Sequence, residues 1–434
     1  MYAPRSNRLL QCETAFPKVK ACTKEVKPTQ QSPPRPVAEA IGMDAHSRKI
    51  VLCHLRRVGD AIEKVRTVHT TLVALEKTYL AQMPADVPTV LEASSNSFDI
   101  ARRLADIGRT AKVLCSDVLS GLSRQDRVND RIDAENLARA FLRYGSELRT
   151  VFQPSALGTV RRETFFAYRD ARKDQTRCAN RIWAFCCRHG LDVDRSITER
   201  RCRELLAQTA SCDWLRPLAG RAAGLVDDWR RAAQTAKDRQ KAIEREVFAD
   251  PDMTRLQQVP GIRFIGAFAI VAFAEDIRRF ENPKKFVSYI GLNPSVNGSG
   301  EKESRRSVSR YGRADLKGLF VEGAQSALRT GSPMARWAKH LLAKGKPWNV
   351  VVCALARKLA VLCWHILMGH PSPDRERQPA TALKLDRLAR SVGRATLRAA
   401  GYASASEYTS SATLRLYGHL PEPPTPPENL SETA

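Results

Sequence analysis

Two regimes of patterning divide this sequence, and they predict an α/β domain, then a helical region, then a mostly α C-terminal domain. Residues 39–150 alternate short β-rich runs with stretches of helical spacing. Residues 155–250 are arginine-rich with no strand signal, and from 256 to 369 the chain turns apolar again. Charge is the third observation. With 71 Lys and Arg against 46 Asp and Glu, the 434 residues carry a formal +25, a self-repulsion that a polyanionic partner would relieve.

The elements follow in order. Residues 1–38, with scattered cations and Pro33, Pro34 and Pro36, read as a flexible basic lead-in. Residues 40–46 and 49–54 are β-rich about a polar turn, a hairpin signal, and residues 62–68 add a third strand. Residues 71–82 have helical spacing; Pro84 and Pro88 then signal turns before a strand over Thr89–Glu92. A helix over residues 97–107, a strand over 110–115 and a helix over Asp130–Tyr144 complete the domain. The order β-β-β-α-β-α-β-α over 39–150 is that of an RNase H-like fold.

Residues 151–255 are expected to form long helices, as an antiparallel pair or coiled coil, although no clean heptad runs through them. Residues 256–370 form the C-terminal domain in this reading. Its Val259-Pro260-Gly261-Ile262 stretch is either half of a phosphate-binding helix-hairpin-helix or a simple turn before a core helix. Residues 371–434 read as a tail, with Pro421, Pro423, Pro424, Pro426 and Pro427 barring a helix at its end.

Several classes are excluded. An apolar content of 43% with 27% charged residues is ordinary globular composition. The apolar run Phe264–Ala274 stops at Glu275, too short for a bilayer. Residues 350–367 are interrupted by Arg357 and Lys358, so a buried helix is expected there. The start of the chain lacks an apolar signal core. Eleven cysteines without a C-x-x-C pair fit reduced thiols, and Cys186, Cys187 and His189 lack a second ligand pair for zinc. These features predict a cytoplasmic protein with no membrane partner. No phosphate-binding P-loop, H-E-x-x-H or dinucleotide fingerprint is present, nor a histidine in the setting of a serine hydrolase triad.

Four carboxylates carry the chemistry. Asp44 interrupts the apolar run Ile41-Gly42-Met43, and Glu92 ends Thr89-Val90-Leu91. Asp130 and Asp133, spaced i,i+3, share one helix face. A carboxylate in an apolar strand is costly without a partner. Strands ~4.8 Å apart beneath a helix can bring all four around one or two divalent cations, Mg2+ or Mn2+ being suited to oxygen ligands. Such a pair of ions activates an attacking oxygen and stabilises the departing one in phosphodiester chemistry. Singly, each has a plainer reading, with Asp130 as a helix N-cap and Asp133 as a first-turn acid; their joint order favours the metal site.

The stretches Gly42-Met43-Asp44, Leu91-Glu92-Ala93-Ser94 and Asn129-Asp130-Arg131-Ile132-Asp133-Ala134 resemble the RuvC-like DEDD domain of an insertion-sequence transposase family. This is the family of bridge-RNA-guided recombinases, related to the Piv-type DNA invertases. The second half is similar to the family's C-terminal transposase domain. The matching residues run through Leu256-Gln257-Gln258-Val259-Pro260-Gly261-Ile262, Tyr289-Ile290-Gly291-Leu292-Asn293-Pro294, Gly298-Ser299-Gly300 and Arg310-Tyr311-Gly312-Arg313-Ala314-Asp315-Leu316. Lys344-Gly345-Lys346-Pro347-Trp348 and Ala356-Arg357-Lys358-Leu359 also fit, and the likeness covers about residues 40–370.

The resemblance implies a recombinase acting on donor and target DNA, with a structured guide RNA. Asp44, Glu92, Asp130 and Asp133 would be the Mg2+ ligands, and Ser299 the nucleophile of a transient serine–DNA link. It also implies a homo-oligomer, dimer or tetramer, in which one subunit's serine completes another's carboxylate site, and a bacterial, nucleoid-associated setting. Apart from the family, a serine in Asn297-Gly298-Ser299-Gly300 is ordinary turn chemistry, and Ser295, Ser304, Ser307 and Ser309 lie nearby. Gly298 stands where the family often has a second serine, and Glu301 where it usually has glycine.

Arg305, Arg306, Arg310, Arg313 and Lys317, with Lys346 further on, are candidates for holding nucleic-acid phosphates. The competing reading is a solvated face paired with Glu301, Glu303 and Asp315. Tyr311 and Trp348 are candidates for stacking on unpaired bases or for the core. Two other functions stay open: a RuvC-like junction endonuclease or an invertase working without a guide, and a non-catalytic nucleic-acid-binding remnant.

Overall fold

The computed structural model describes residues 38–46, 48–115, 130–191, 195–299, 302–309, 311–370 and 377–418. The chain divides into two compact units between Gln153 and Pro154; elements are numbered in chain order among the described residues.

In the first unit, β1 (Glu39–Ala45), β2 (Ile50–Val58), β3 (Ala61–Thr70), β4 (Thr89–Glu92) and β5 (Ala111–Leu114) make one mixed sheet in the order β3-β2-β1-β4-β5. β1, β2 and β3 are an antiparallel meander, and β4 and β5 run parallel to β1. Helices cover both faces, so the period-2 alternation of each strand sorts its side chains between two cores. Ile41, Met43, Leu91 and Val113 pack against Leu75 and Tyr79 of α1 (Leu75–Gln82) and Ile100 and Leu104 of α2 (Ser97–Asp106). Ala40, Val51, Val90 and Leu114 pack against Ala134, Leu137, Ala138 and Phe141 of α3 (Asp130–Tyr144).

Most element ends fall within two residues of the expectation, and two boundaries shift further. β2 runs on to Val58 because Gly59 and Asp60 close a two-residue hairpin, with Val58 paired to Ala61. α1 starts at Leu75, since Thr71–Ala74 first closes a turn in which the Ala74 amide donates to Thr71 O at 3.2 Å.

The second unit opens with α4 (Ala156–Arg188), capped by Ser155, whose Oγ accepts from the Gly158 amide at 2.9 Å. Together with α6 (Ala219–Ala249) it forms an antiparallel pair. Arg161 near its start meets Glu246 and Asp250, and Arg181 near its end meets Asp228. α5 (Glu199–Ser211) packs where Ile182 and Phe185 meet Leu225 and Trp229. Cys186 is buried in this cluster and its thiol is pushed up to about 11 by burial, whereas Cys187 is exposed.

Beyond them come α7 (Pro251–Arg255), α8 (Phe264–Ala274), α9 (Pro283–Ile290), α10 (Ala314–Ala327), α11 (Pro333–Ala343) and α12 (Trp348–Leu367). Every residue of α8 but Ile265 is buried, as an all-round apolar helix requires. α12 is the one described helix long and apolar enough to cross a membrane. Its Val351, Leu355, Leu359 and Cys363 lie in the same core as Phe165, Ile243 and Val247 of the helical pair. The segments 151–255 and 256–370 therefore share one core.

Residues 378–417, expected within a tail, instead form α13 (Gln378–Ala399) and α14 (Ala405–Tyr417). Leu385, Leu388, Ala389 and Val392 repeat at helical spacing and enter that core. Lys384 is inserted with them, and its ammonium donates to the carbonyls of Gln257, Val259 and Ile262 at 2.7, 2.8 and 2.6 Å. The Val259-Pro260 turn is buried beneath it. It is thus a turn before the core helix α8, not a hairpin open to phosphate.

Candidate active site

Strand parity decides where the carboxylates point. Asp44 lies two residues beyond Gly42 and Glu92 two beyond Val90, so both belong to the face that α3 covers. The last parallel pair of β1 and β4 is Met43 with Leu91, which sets Asp44 and Glu92 side by side one step further on. α3 delivers the other two, Asp130 and Asp133, from its first turn. Gly42 allows this approach: a Cβ there would stand 1.8 Å from Ala134 O and 2.8 Å from Ala138 N. The backbone of α3 therefore rests directly on β1.

The electrostatics record the gathering. Burial pushes the Asp44 carboxyl above the usual range, and the charges of Asp130 and Asp133 add to it while His46 opposes it. Glu92 is raised by burial and by Asp44 and Asp133. Asp133 is raised by burial and by Asp130. Asp130 is lowered, chiefly by the Lys49 ammonium at 2.9 Å. Asp44, Glu92 and Asp133 thus each bear the charge of at least one other of these acids, while Asp130 is balanced by Lys49.

Two participants were not anticipated. The turn between β1 and β2 presents His46, whose Nε2 lies 3.2 Å from Asp44 Oδ2 and 3.7 Å from Asp130 Oδ1, and Lys49. Ligand atoms of Asp44, His46 and Asp130 all lie within 4.8 Å of one another. The available signal was position: a polar turn directly after the strand that carries Asp44. The buried Asp44 Oδ2 has the His46 ring 3.2 Å away and no other donor among the described residues. A carboxylate oxygen of this kind, with the Asp130 carboxylate and the His46 ring close by, fits a hard divalent cation.

Ser299 stands in the second unit, at the end of β6 (Pro294–Ser299), which pairs antiparallel with β7 (Lys302–Val308). Its backbone partner is Lys302, and the intervening Gly300 and Glu301 lie outside the described residues. This hairpin interrupts the helices and was not expected, although Asn297-Gly298 is a turn signal. Its base is fastened on both sides. The Ser309 amide donates to Asn293 O at 2.9 Å, Arg313 N to Tyr289 O at 3.0 Å, and Arg357 Nε to Leu292 O at 3.0 Å. Gly291 and Gly312, with φ of +82° and +102°, pass backbone to backbone, and a Cβ on Gly312 would meet Gly291 N at 2.5 Å.

The cationic candidates divide. Lys317 Nζ donates to Ser309 O at 2.8 Å, and Arg313 lies 4.3 Å over the Phe273 ring and 3.3 Å from Asp315, so both support the hairpin base. Arg305 and Arg306 are on β7, Arg310 lies outside the described residues, and Lys346 is exposed between α11 and α12. Tyr311 and Trp348 are 81% and 50% exposed, so neither is a core aromatic.

Comparison with known proteins bears on this arrangement. Residues 253–339 match the family described as Transposase IS116/IS110/IS902 family. The chain is 26% identical over 297 residues to a Pseudomonas aeruginosa protein named "Probable family 20 transposase", covering 67% of this chain and 86% of that one. It is 27% identical over 249 residues to the transposase for insertion sequence element IS1111A of Coxiella burnetii, covering 55% and 66%. With the transposase for insertion sequence element IS1328 of Yersinia enterocolitica it shares 23% over 292 residues, covering 66% and 85%. The chain is thus similar to transposases over 55–67% of its length, and DNA is the partner that likeness supports.

Proposed function

We propose that this chain is a DNA transposase of the site-specific recombinase type, built on an RNase H-like, RuvC-like first unit. The observation that carries the reading is the approach of Asp44 at the end of β1 to Asp130 in the first turn of α3, with Gly42 admitting the helix; Glu92 and Asp133, whose charges act on Asp44, Asp130 and each other, are the proposed remaining ligands. These four would hold Mg2+ or Mn2+, which supplies charge neutralisation at a scissile phosphate and activation of the attacking oxygen. His46 and Lys49, already within reach of Asp44 and Asp130, hold the carboxylates in place and would reorganise as cation and DNA bind.

Ser299 is the proposed nucleophile. A bond forms between its Oγ and the scissile phosphorus as a phosphorus–oxygen bond of the strand breaks, and the hydroxyl proton ends on the departing strand oxygen. Rejoining reverses these exchanges with a new strand end. The clamped base, from Tyr289 to Asn293 on one side and Ser309 to Lys317 on the other, fixes where the hairpin projects. A structured guide RNA and assembly as a dimer or tetramer complete the proposal, both resting on the family likeness. With both nucleic acids bound, the +25 surplus has its counter-charge.

The test is a covalent trap. Full-length protein, co-expressed with RNA from its own element, is incubated with Mg2+ and labelled DNA carrying the element's ends, then denatured. A labelled protein band that Ser299→Ala abolishes and Ser304→Ala retains is the expected result. Cleavage without any adduct in the unsubstituted protein would replace the serine mechanism with hydrolysis.

A further inference from the structure

We propose that an open cavity between α10, α11 and the start of α12 takes one unpaired nucleotide of a single-stranded nucleic acid, its base stacked on Trp348 and its phosphates held by Arg329 and Lys339. The inference deepens the proposed function, since it rests on nucleic acid being the partner.

The cavity measures about 400 Å³ and is lined by Gln325, Leu328, Arg329, Lys339, Leu342 and Trp348. That is the lower part of the range for a small-molecule site, enough for a base and its sugar. Leu328, 5% exposed, is continuous with the main core and gives the lining an apolar base. Trp348 begins α12 directly after the turn at Gly345, whose φ is +77°, and it stays half exposed while Trp364 on the same helix is 8% exposed. A large indole left at the mouth of a cavity is a surface on which a planar base can stack.

Charge selects an anion. Between Glu322 and Asp374 the sequence has no acidic residue and seven cations, namely Arg329, Arg336, Lys339, Lys344, Lys346, Arg357 and Lys358. Arg329 and Lys339 are exposed and form no ion pair among the described residues. The exposed Gln325 amide adds a donor and an acceptor for a base edge. Phosphate alone would need only the cations. An apolar base, an indole and an amide beside them are what a nucleobase requires. A duplex keeps its bases stacked on each other, so the site favours an unpaired strand.

The experiment measures fluorescence anisotropy of the full-length protein with labelled twelve-nucleotide oligo-dT, oligo-U and a blunt DNA duplex. Trp348→Ala is expected to weaken single-strand binding roughly tenfold or more, with duplex binding within about twofold. Trp348→Phe, which keeps an aromatic face, retains most of the affinity. Arg329→Gln and Lys339→Gln each lower the single-strand salt slope by about 0.7. Stronger binding of oligo-dT names an opened DNA strand as the natural occupant, and stronger binding of oligo-U names RNA. Equal losses on single strand and duplex, or none on either, overturn the proposal while leaving the transposase reading intact. Failure of the unsubstituted protein to bind any of the three overturns both. Circular dichroism melting accompanies each variant; if Trp348→Ala unfolds, Trp348→Gln and the two rim substitutions decide.

Discussion

Gly42 of β1 and Ala134 of α3 are in backbone contact, with no space for a methyl group between them. That contact sets the distance from the strand end bearing Asp44 to the helix turn bearing Asp130 and Asp133. Gly42→Ala must push the helix away, and overpacking of this kind costs about 1–3 kcal/mol or more. The expected outcome is a lower melting temperature for the first unit together with loss of DNA cleavage. Full activity in Gly42→Ala would show that the helix position is not critical.

The acids repel one another, so the pocket is a site of stored electrostatic cost. Asp44→Asn removes a half-buried charge that feels those of Asp130, Asp133 and Glu92. In metal-free buffer near neutral pH the variant should melt higher than the parent, as replacement of a destabilised site residue commonly does. Added Mg2+ should raise the melting temperature of the parent and not of the variant. Cleavage should be lost in the variant under all metal conditions. An equal Mg2+-dependent rise in both proteins would remove Asp44 from the ligand set.

How much of this was legible in the sequence follows the physics of each element. The strands and helices of the first unit were readable because helices cover both sheet faces, which leaves short apolar runs bounded by turns. The four acids stood out because carboxylates at apolar strand ends need a reason. His46 and Lys49 did not, since a turn residue's reach depends on tertiary approach. α13 and α14 precede a proline-rich end that cannot be helical, although Leu385, Leu388 and Val392 carry a clear helical period. The β6–β7 hairpin is short, polar and flanked by helices, so period alone could not show it. Its importance comes from the glycine crossing at its base.

Gly312 holds a φ of +102° against Gly291, and any side chain there is both strained and blocked by backbone. Gly312→Ala should destabilise the second unit by about 1–3 kcal/mol and suppress the serine–DNA adduct although Ser299 is unchanged. Adduct formation at the parent rate in Gly312→Ala would mean the hairpin base does not govern where the serine is presented.

Burial lowers the Lys384 ammonium to about 7 in the folded chain, against about 10.4 when unfolded. Between those values the unfolded state binds the extra proton, so stability rises with pH, by at most about 1.4 kcal/mol per pH unit for one group. Below pH 7 both states are protonated and this contribution to the slope vanishes. Lys384→Met keeps the chain's bulk but leaves the carbonyls of Gln257, Val259 and Ile262 without their donor. The variant should lose about 2–5 kcal/mol at neutral pH, the scale of several unsatisfied buried acceptors. Its chemical denaturation midpoint should also rise less steeply than the parent's between pH 7 and 10. Parallel pH profiles for the two proteins would show that Lys384 keeps its proton throughout, held by the three carbonyls more strongly than burial opposes it.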